Sequence, residues 1–163
     1  MGDHTETIEI DFDPDVIQVS ELLTIFWGNH NSLRKEVYRG RQYLSLFLYR
    51  TEAQRKMALQ LKENLEDKLN GVIQTEVSPF THFYVAEDKH QKYYLKRFPK
   101  AYEDLLHLFE SHQQFVNSTL VARLNGFVRE FGTLQTIRTE LEHWKLDERE
   151  YQVILKIING LKW

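Results

Sequence analysis

Residues Glu6 to Phe12 alternate, with Ile8, Ile10 and Phe12 on one side and Thr7, Glu9 and Asp11 on the other. A period of two predicts a half-buried strand, ended by Asp13-Pro14. A helix capped near Ser20 follows, its broad apolar face built from Leu22, Leu23, Ile25, Phe26 and Trp27, with Gly28-Asn29 as its stop. Residues Asn31 to Arg41 read as a polar loop, and Leu44 to Tyr49 as a second, largely buried strand. Thr51-Glu52-Ala53-Gln54 has the form of a capping box and opens a long helix. Met57, Leu59, Leu61, Leu65 and Leu69 are expected on its apolar side, with Gly71 as its stop. Val72 to Val77 completes a strand, helix, strand, helix, strand order, which predicts helices layered on a sheet.

After Pro79 the pattern changes. Lys89 to Arg97 reads as a helix broken by Pro99, and beyond Tyr102 only helical spacing remains. Tyr102, Leu105, Leu106, Phe109 and Val116 fit one face, and Leu134, Ile137, Leu141 and Trp144 another. Asp147 with Glu150 is a second capping signal, opening a helix with Tyr151, Ile154, Leu155 and Ile158 inward. The organisation expected is therefore an α/β part over residues 1–98 and a helical extension over 99–163 packed on it.

Composition narrows the chemistry. A 42 % hydrophobic and 28 % charged share in 163 residues describes a globular chain with enough length for a core. The net charge of −3 offers no electrostatic reason to expect nucleic acid or an anionic membrane as partner. The longest apolar run is strand-sized and the N-terminus has no signal-peptide core, so a cytoplasmic address is expected. The sequence contains 0 cysteines. Disulfides, thiolate metal sites and thiol nucleophiles are thereby excluded for this polypeptide.

Two stretches carry a resemblance. One is Gly2-Asp3-His4-Thr5-Glu6 with Ile8 to Pro14, Glu21-Leu22-Leu23 and Phe26-Trp27-Gly28-Asn29-His30; the other runs from Phe83 to Lys96. Gly40-Arg41-Gln42-Tyr43 and Thr75-Glu76-Val77 fall between them in order. Over about residues 2–97 the chain resembles the peptide-methionine (S)-S-oxide reductase family, methionine sulfoxide reductase A; beyond Phe98 the similarity is only to extensions of some members. The resemblance implies an α/β fold, an α+β ferredoxin-like plait incomplete at its N-terminus, with a C-terminal all-helical extension. It also implies thiol-dependent repair of methionine sulfoxide in proteins, with thioredoxin or another thiol as reductant and no bound cofactor. In that family a thiolate from a Gly-Cys-Phe-Trp motif attacks the sulfoxide sulfur, leaving a sulfenic acid. A carboxylic acid protonates the oxygen, two tyrosine hydroxyls hold it, and the Phe and Trp of the motif hold the methyl group.

Matched position by position, Glu6 stands at the family's acid and Tyr43 at one oxygen-binding tyrosine. A neutral acid and a phenol suit an oxygen that gains charge as sulfur is attacked. Tyr38 stands where the family has an aspartate, in a shortened loop. Tyr38, Glu87, Asp88 and His90 are expected near the substrate, the last three as a polar network at the rim. Read without the resemblance, Glu6 is a solvated carboxylate and Tyr43 a core or interface tyrosine. Glu87 and His90 share a three-residue spacing with Asp104 and His107, but nothing completes a ligand set, so no metal site is expected. The cysteine motif, the other tyrosine, the first strand and the first helix have no counterpart in this sequence. The expectation is an incomplete version of an enzyme, inactive as this cysteine-free chain. The alternatives are a non-catalytic sulfoxide-binding or interaction module and a fold reused for structure. Self-association through an exposed sheet edge is expected as well.

Overall fold

The computed structural model describes residues 4–35 and 40–163, which form two compact units, Met1–Tyr84 and Val85–Trp163. The fold is mixed α/β. The segment 85–98, which carries part of the family resemblance, lies in the second unit.

The first unit contains α1 (Val19–Gly28), a 3-10 turn Gly40–Tyr43, β1 (Leu46–Tyr49), α2 (Glu52–Leu69) and β2 (Glu76–Pro79). β1 and β2 pair in parallel, Leu46 opposite Glu76 through Tyr49 opposite Pro79, and α2 is the crossover between them. The capping box at Thr51 forms as expected: its hydroxyl accepts the Gln54 N–H, and the Gln54 side chain returns to the Thr51 N–H. At the other end of α2 the stop is Asn70, left-handed at φ 48°, and the Gly71 N–H returns to the Glu66 carbonyl.

The core of this unit is Leu23, Trp27, Ala58 and Ile73, with Phe26, Leu33, Phe47, Leu61, Leu65 and Val77 against them. Leu23 and Trp27 are four residues apart on α1, and Ala58, Leu61 and Leu65 make the matching stripe on α2. Met57, Leu59 and Leu69 lie off that stripe and are exposed, contrary to the sequence expectation. The fully buried Ala58 is the center of the face, because a methyl side chain permits close approach.

Two strand predictions change. Residues 6–12 form no strand; Ile8 and Ile10 are exposed, and among the described residues no ladder runs beside them. Alternation alone cannot make a strand where no partner supplies its hydrogen bonds. The third predicted strand begins at Glu76 instead of Val72, because the preceding N–H groups are used elsewhere. Ile73 N–H donates to the Glu66 carboxylate at 2.8 Å and Gln74 N–H to the Ser32 carbonyl at 2.7 Å.

The second unit is helical: α3 (Pro99–Leu106), α4 (His112–Asn117), α5 (Thr119–Phe127), α6 (Leu134–Leu141) and α7 (Glu148–Gly160). Ser111, Ser118, Thr133 and Asp147 each accept a backbone N–H at the start of their helices. Leu95, Leu105, Phe115, Val121, Leu124, Ile137, Leu141 and Ile158 are buried together. Phe115 is fully enclosed, with the rings of Tyr102 and Phe109 set edge-on to it. The continuous face predicted from Tyr102 to Val116 is divided, because the Ser111 cap starts a new helix. The predicted helix Lys89–Arg97 is instead two 3-10 turns, Asp88–His90 and Leu95–Arg97. Lys92 between them is left-handed at φ 50°, and the Asn125 side chain takes the Tyr94 and Leu95 N–H groups at 3.1 Å each. Those two donors are therefore bonded to a side chain of α5.

Candidate functional site

Glu6 and Tyr43 both belong to the first unit, and Gln42 joins the segments that carry them. The Glu6 N–H donates to the Gln42 carbonyl at 2.9 Å, and the Gln42 amide donates to the Glu6 carboxylate at 2.6 Å. One residue earlier on each side, the Thr5 hydroxyl donates to the Arg41 carbonyl at 2.9 Å. The extended segment 5–6 is thus fixed to the turn Gly40–Tyr43, which Gly40 enters at φ 75°. Tyr43 ends the turn half exposed, and its hydroxyl has no hydrogen-bond partner among the described residues. Glu6 is exposed too, so the corner presents a carboxyl group and a phenol to solvent.

The turn is held to β2 by charge. Arg41 pairs with Glu76 at 3.1 Å, and the Ser78 hydroxyl donates to the same carboxylate at 2.7 Å. The Ser78 bond, with the Arg41 bond and charge, holds the Glu76 carboxyl below its ordinary range, against a smaller opposing effect of burial.

Below the corner runs a polar chain that no local sequence pattern announces. The Trp27 indole N–H donates to the Thr75 hydroxyl at 2.9 Å. Thr75 and Ser45 hydroxyls are 2.7 Å apart, and the Ser45 hydroxyl is 2.7 Å from His30 Nε2. His30 Nδ1 lies 2.7 Å from the Phe26 carbonyl, which can only accept. One ordering satisfies every group: Trp27 gives to Thr75, Thr75 to Ser45, Ser45 to His30, and His30 to the carbonyl. Lys62 adds a bond to the Thr75 carbonyl at 3.0 Å. Trp27 is a buried core residue, as the sequence reading had it.

His4 also packs on Tyr84, ring centroids 4.8 Å apart, and the His82 ring is stacked with Tyr84 at 6.3 Å. The fold therefore brings the start of the first resembling stretch onto the start of the second.

Glu87, Asp88 and His90 belong to the second unit. Glu87 pairs with Lys89, whose hydrogen bond is the first cause of its lowered pKa. Asp88 accepts from Lys96 at 2.9 Å and from His112 at 2.6 Å, and the Lys96 bond chiefly lowers its pKa. The His90 side chain makes no hydrogen bond or ion pair among the described residues, but its charge acts on Glu87. Asp88 thus ties its turn to α4, while Glu87 pairs with Lys89 and feels the charge of His90. Tyr38 lies outside the described residues. Among the described residues no group of three or more histidine or carboxylate side chains converges on a point that could hold a metal ion. No helix among them is long and apolar enough to cross a membrane.

Residues 1–123 match the peptide methionine sulfoxide reductase family. The match runs past Arg97, through α3 and α4 and into α5. A Drosophila melanogaster protein named peptide methionine sulfoxide reductase is 37 % identical over 155 residues, covering 93 % of this chain and 61 % of that protein. Peptide methionine sulfoxide reductase A5 of Oryza sativa subsp. japonica is 35 % identical over 142 residues, covering 83 % of this chain and 54 % of that protein. An archaeal relative, peptide methionine sulfoxide reductase MsrA of Sulfolobus acidocaldarius, is 42 % identical over 96 residues, covering 57 % and 54 %. The chain accordingly spans between half and two thirds of the length of these relatives.

Proposed function

This chain belongs to the peptide methionine sulfoxide reductase family, and we propose that its Glu6–Gln42–Tyr43 corner is the oxygen-binding side of a methionine-S-sulfoxide site. The observation that carries this reading is the double hydrogen bond between Glu6 and Gln42. It draws residues 36 positions apart together, so that the carboxyl at the family's acid position is anchored to the neighbour of Tyr43. In this reading Tyr43 donates to the sulfoxide oxygen and Glu6, in its acid form, gives that oxygen a proton as sulfur is attacked.

The attacking thiolate cannot come from this sequence, which has no cysteine. The chain alone is therefore proposed to be inactive, with turnover requiring a thiol that this polypeptide does not contain. Methionine-sulfoxide-containing proteins are the proposed substrates, with thioredoxin or another thiol as reductant. The β1–α2–β2 unit is, in the same reading, the portion of a ferredoxin-like plait that the chain supplies. Tyr38 stays in the proposal as a rim residue, whereas Glu87, Asp88 and His90 belong to the second unit.

Titration of the full chain with methionine-S-sulfoxide, followed by amide NMR, tests the corner. Shifts are expected at Gln42 and Tyr43, absent with methionine and reduced in Tyr43→Phe. With no counterpart in this sequence to the family motif whose Phe and Trp hold the methyl group, affinity weaker than about 1 mM is expected. Shifts confined to other residues would remove the corner from the proposal. Saturable micromolar binding would instead favour a non-catalytic module that reads sulfoxides.

A further inference from the structure

The second unit carries a cleft of about 350 Å³ lined by Tyr94, Arg97, Phe98, Val128 and Arg129. That volume is at the lower end of the range that takes small organic ligands. Its chemistry is lopsided: two guanidinium groups and no carboxylate line it, in a chain whose net charge is −3. Neither Arg97 nor Arg129 has an ion-pair partner among the described residues. Elsewhere in this unit Arg123 pairs with Glu140 at 2.7 Å, and Arg138 donates to Asn159 at 2.7 Å. Both guanidinium charges on the cleft are thus without a neutralising carboxylate among the described residues.

The cleft is also preorganised. Asn125 holds the Tyr94 and Leu95 N–H groups, and the fully buried Leu95 anchors the turn that ends in Arg97. On the other wall, the Val128 and Arg129 N–H groups close onto the Leu124 and Gly126 carbonyls at the end of α5. The Arg129 guanidinium lies over the Tyr94 ring, 5.3 Å from its centroid. That stacking orients a planar fork of donors while an aromatic and apolar surface, Tyr94, Phe98 and Val128, forms the rest of the lining.

We propose that this cleft binds an oxyanion carried on a planar ring, the class that includes nucleoside monophosphates and aromatic carboxylates. Guanidinium forks match two-oxygen anions, and the ring would occupy the aromatic side. The proposal is independent of the sulfoxide reading, since all five residues lie in Val85–Trp163 and none in the corner.

Calorimetric titration of the full chain tests it with four probes: adenosine 5′-monophosphate, benzoate, adenosine and inorganic phosphate. At least one of the first two is expected to bind saturably, and which one distinguishes a phosphate source from a carboxylate. Adenosine and inorganic phosphate are each expected to bind at least about tenfold more weakly than the bound probe. Arg97→Gln and Arg129→Gln are each expected to weaken it by at least about tenfold, with the thermal melt unchanged because both side chains are exposed. On the unsubstituted chain, NMR shifts from the bound probe are expected at Tyr94, Val128 and Arg129. Failure of both ring-bearing anions to bind overturns the proposal. So does binding that survives both substitutions, equals that of adenosine or phosphate, or shifts other residues only.

Discussion

The indole N–H of Trp27 donates to the hydroxyl of Thr75 at 2.9 Å, joining α1 to the segment that enters β2 across 48 positions of sequence. Both residues are buried. Thr75→Val keeps the shape and removes the hydroxyl, leaving the indole N–H without its partner and the Ser45 hydroxyl with His30 alone. A loss of about 2 kcal/mol is expected, and Thr75→Ser, which keeps the hydroxyl, should lose less. Urea unfolding of the three proteins measures it; equal stability of Thr75→Val and the parent would show that the polar chain contributes nothing.

Incubated with methionine-S-sulfoxide and either thioredoxin or dithiothreitol, the chain is expected to release no methionine. The sulfoxide sulfur has no thiolate to meet in a sequence with no cysteine. Release clearly above that of a boiled sample would require a different nucleophile and would end the thiol-based account.

Glu76 gives the first unit an acid-sensitive tie. Its carboxyl is held below the ordinary value of 4.5, first by the Ser78 hydroxyl and then by Arg41. A carboxyl whose folded pKa is depressed adds stability above its unfolded pKa and loses it as pH falls through the folded value. The parent should therefore exceed Glu76→Gln in melting temperature at pH 7, and the gap should close as pH drops below 4.5. The side chain is 38 % exposed, so the gap corresponds to well under about 1 kcal/mol. A gap that widens in acid would contradict the assignment.

Ile8 and Val16 are 82 % and 81 % exposed, and Ile10 and Ile25 lie open in the same unit. Apolar exposure of this kind favours association. Sedimentation equilibrium is expected to show species heavier than the monomer, shifted toward the monomer by Ile8→Lys with Val16→Lys. A clean monomer at every concentration tested would refute this.

Several local signals, each contained in one turn of chain, were legible in the sequence. The capping boxes at Thr51 with Gln54 and at Asp147 with Glu150 formed where the sequence placed them, and Gly28-Asn29 ended α1. Glu6 and Tyr43 could be nominated only because a family pattern places them in order. That Gln42 binds Glu6, and that His30, Ser45, Thr75 and Trp27 form one chain, needed contacts spanning 15 to 48 positions. No local window holds both partners of such a bond. The same limit explains the misread segments: the alternation of Glu6 to Phe12 states which face would be buried, not whether a partner strand exists. At Lys89 to Arg97, helical spacing could not show that Asn125, 30 residues away, would take the N–H of Leu95. The sequence by itself determined the capping boxes at Thr51 and Asp147, the stop of α1 at Gly28-Asn29, and that no thiol is present. Tertiary structure decided which polar groups meet, because a hydrogen bond depends on distance in space and folding alone sets that distance.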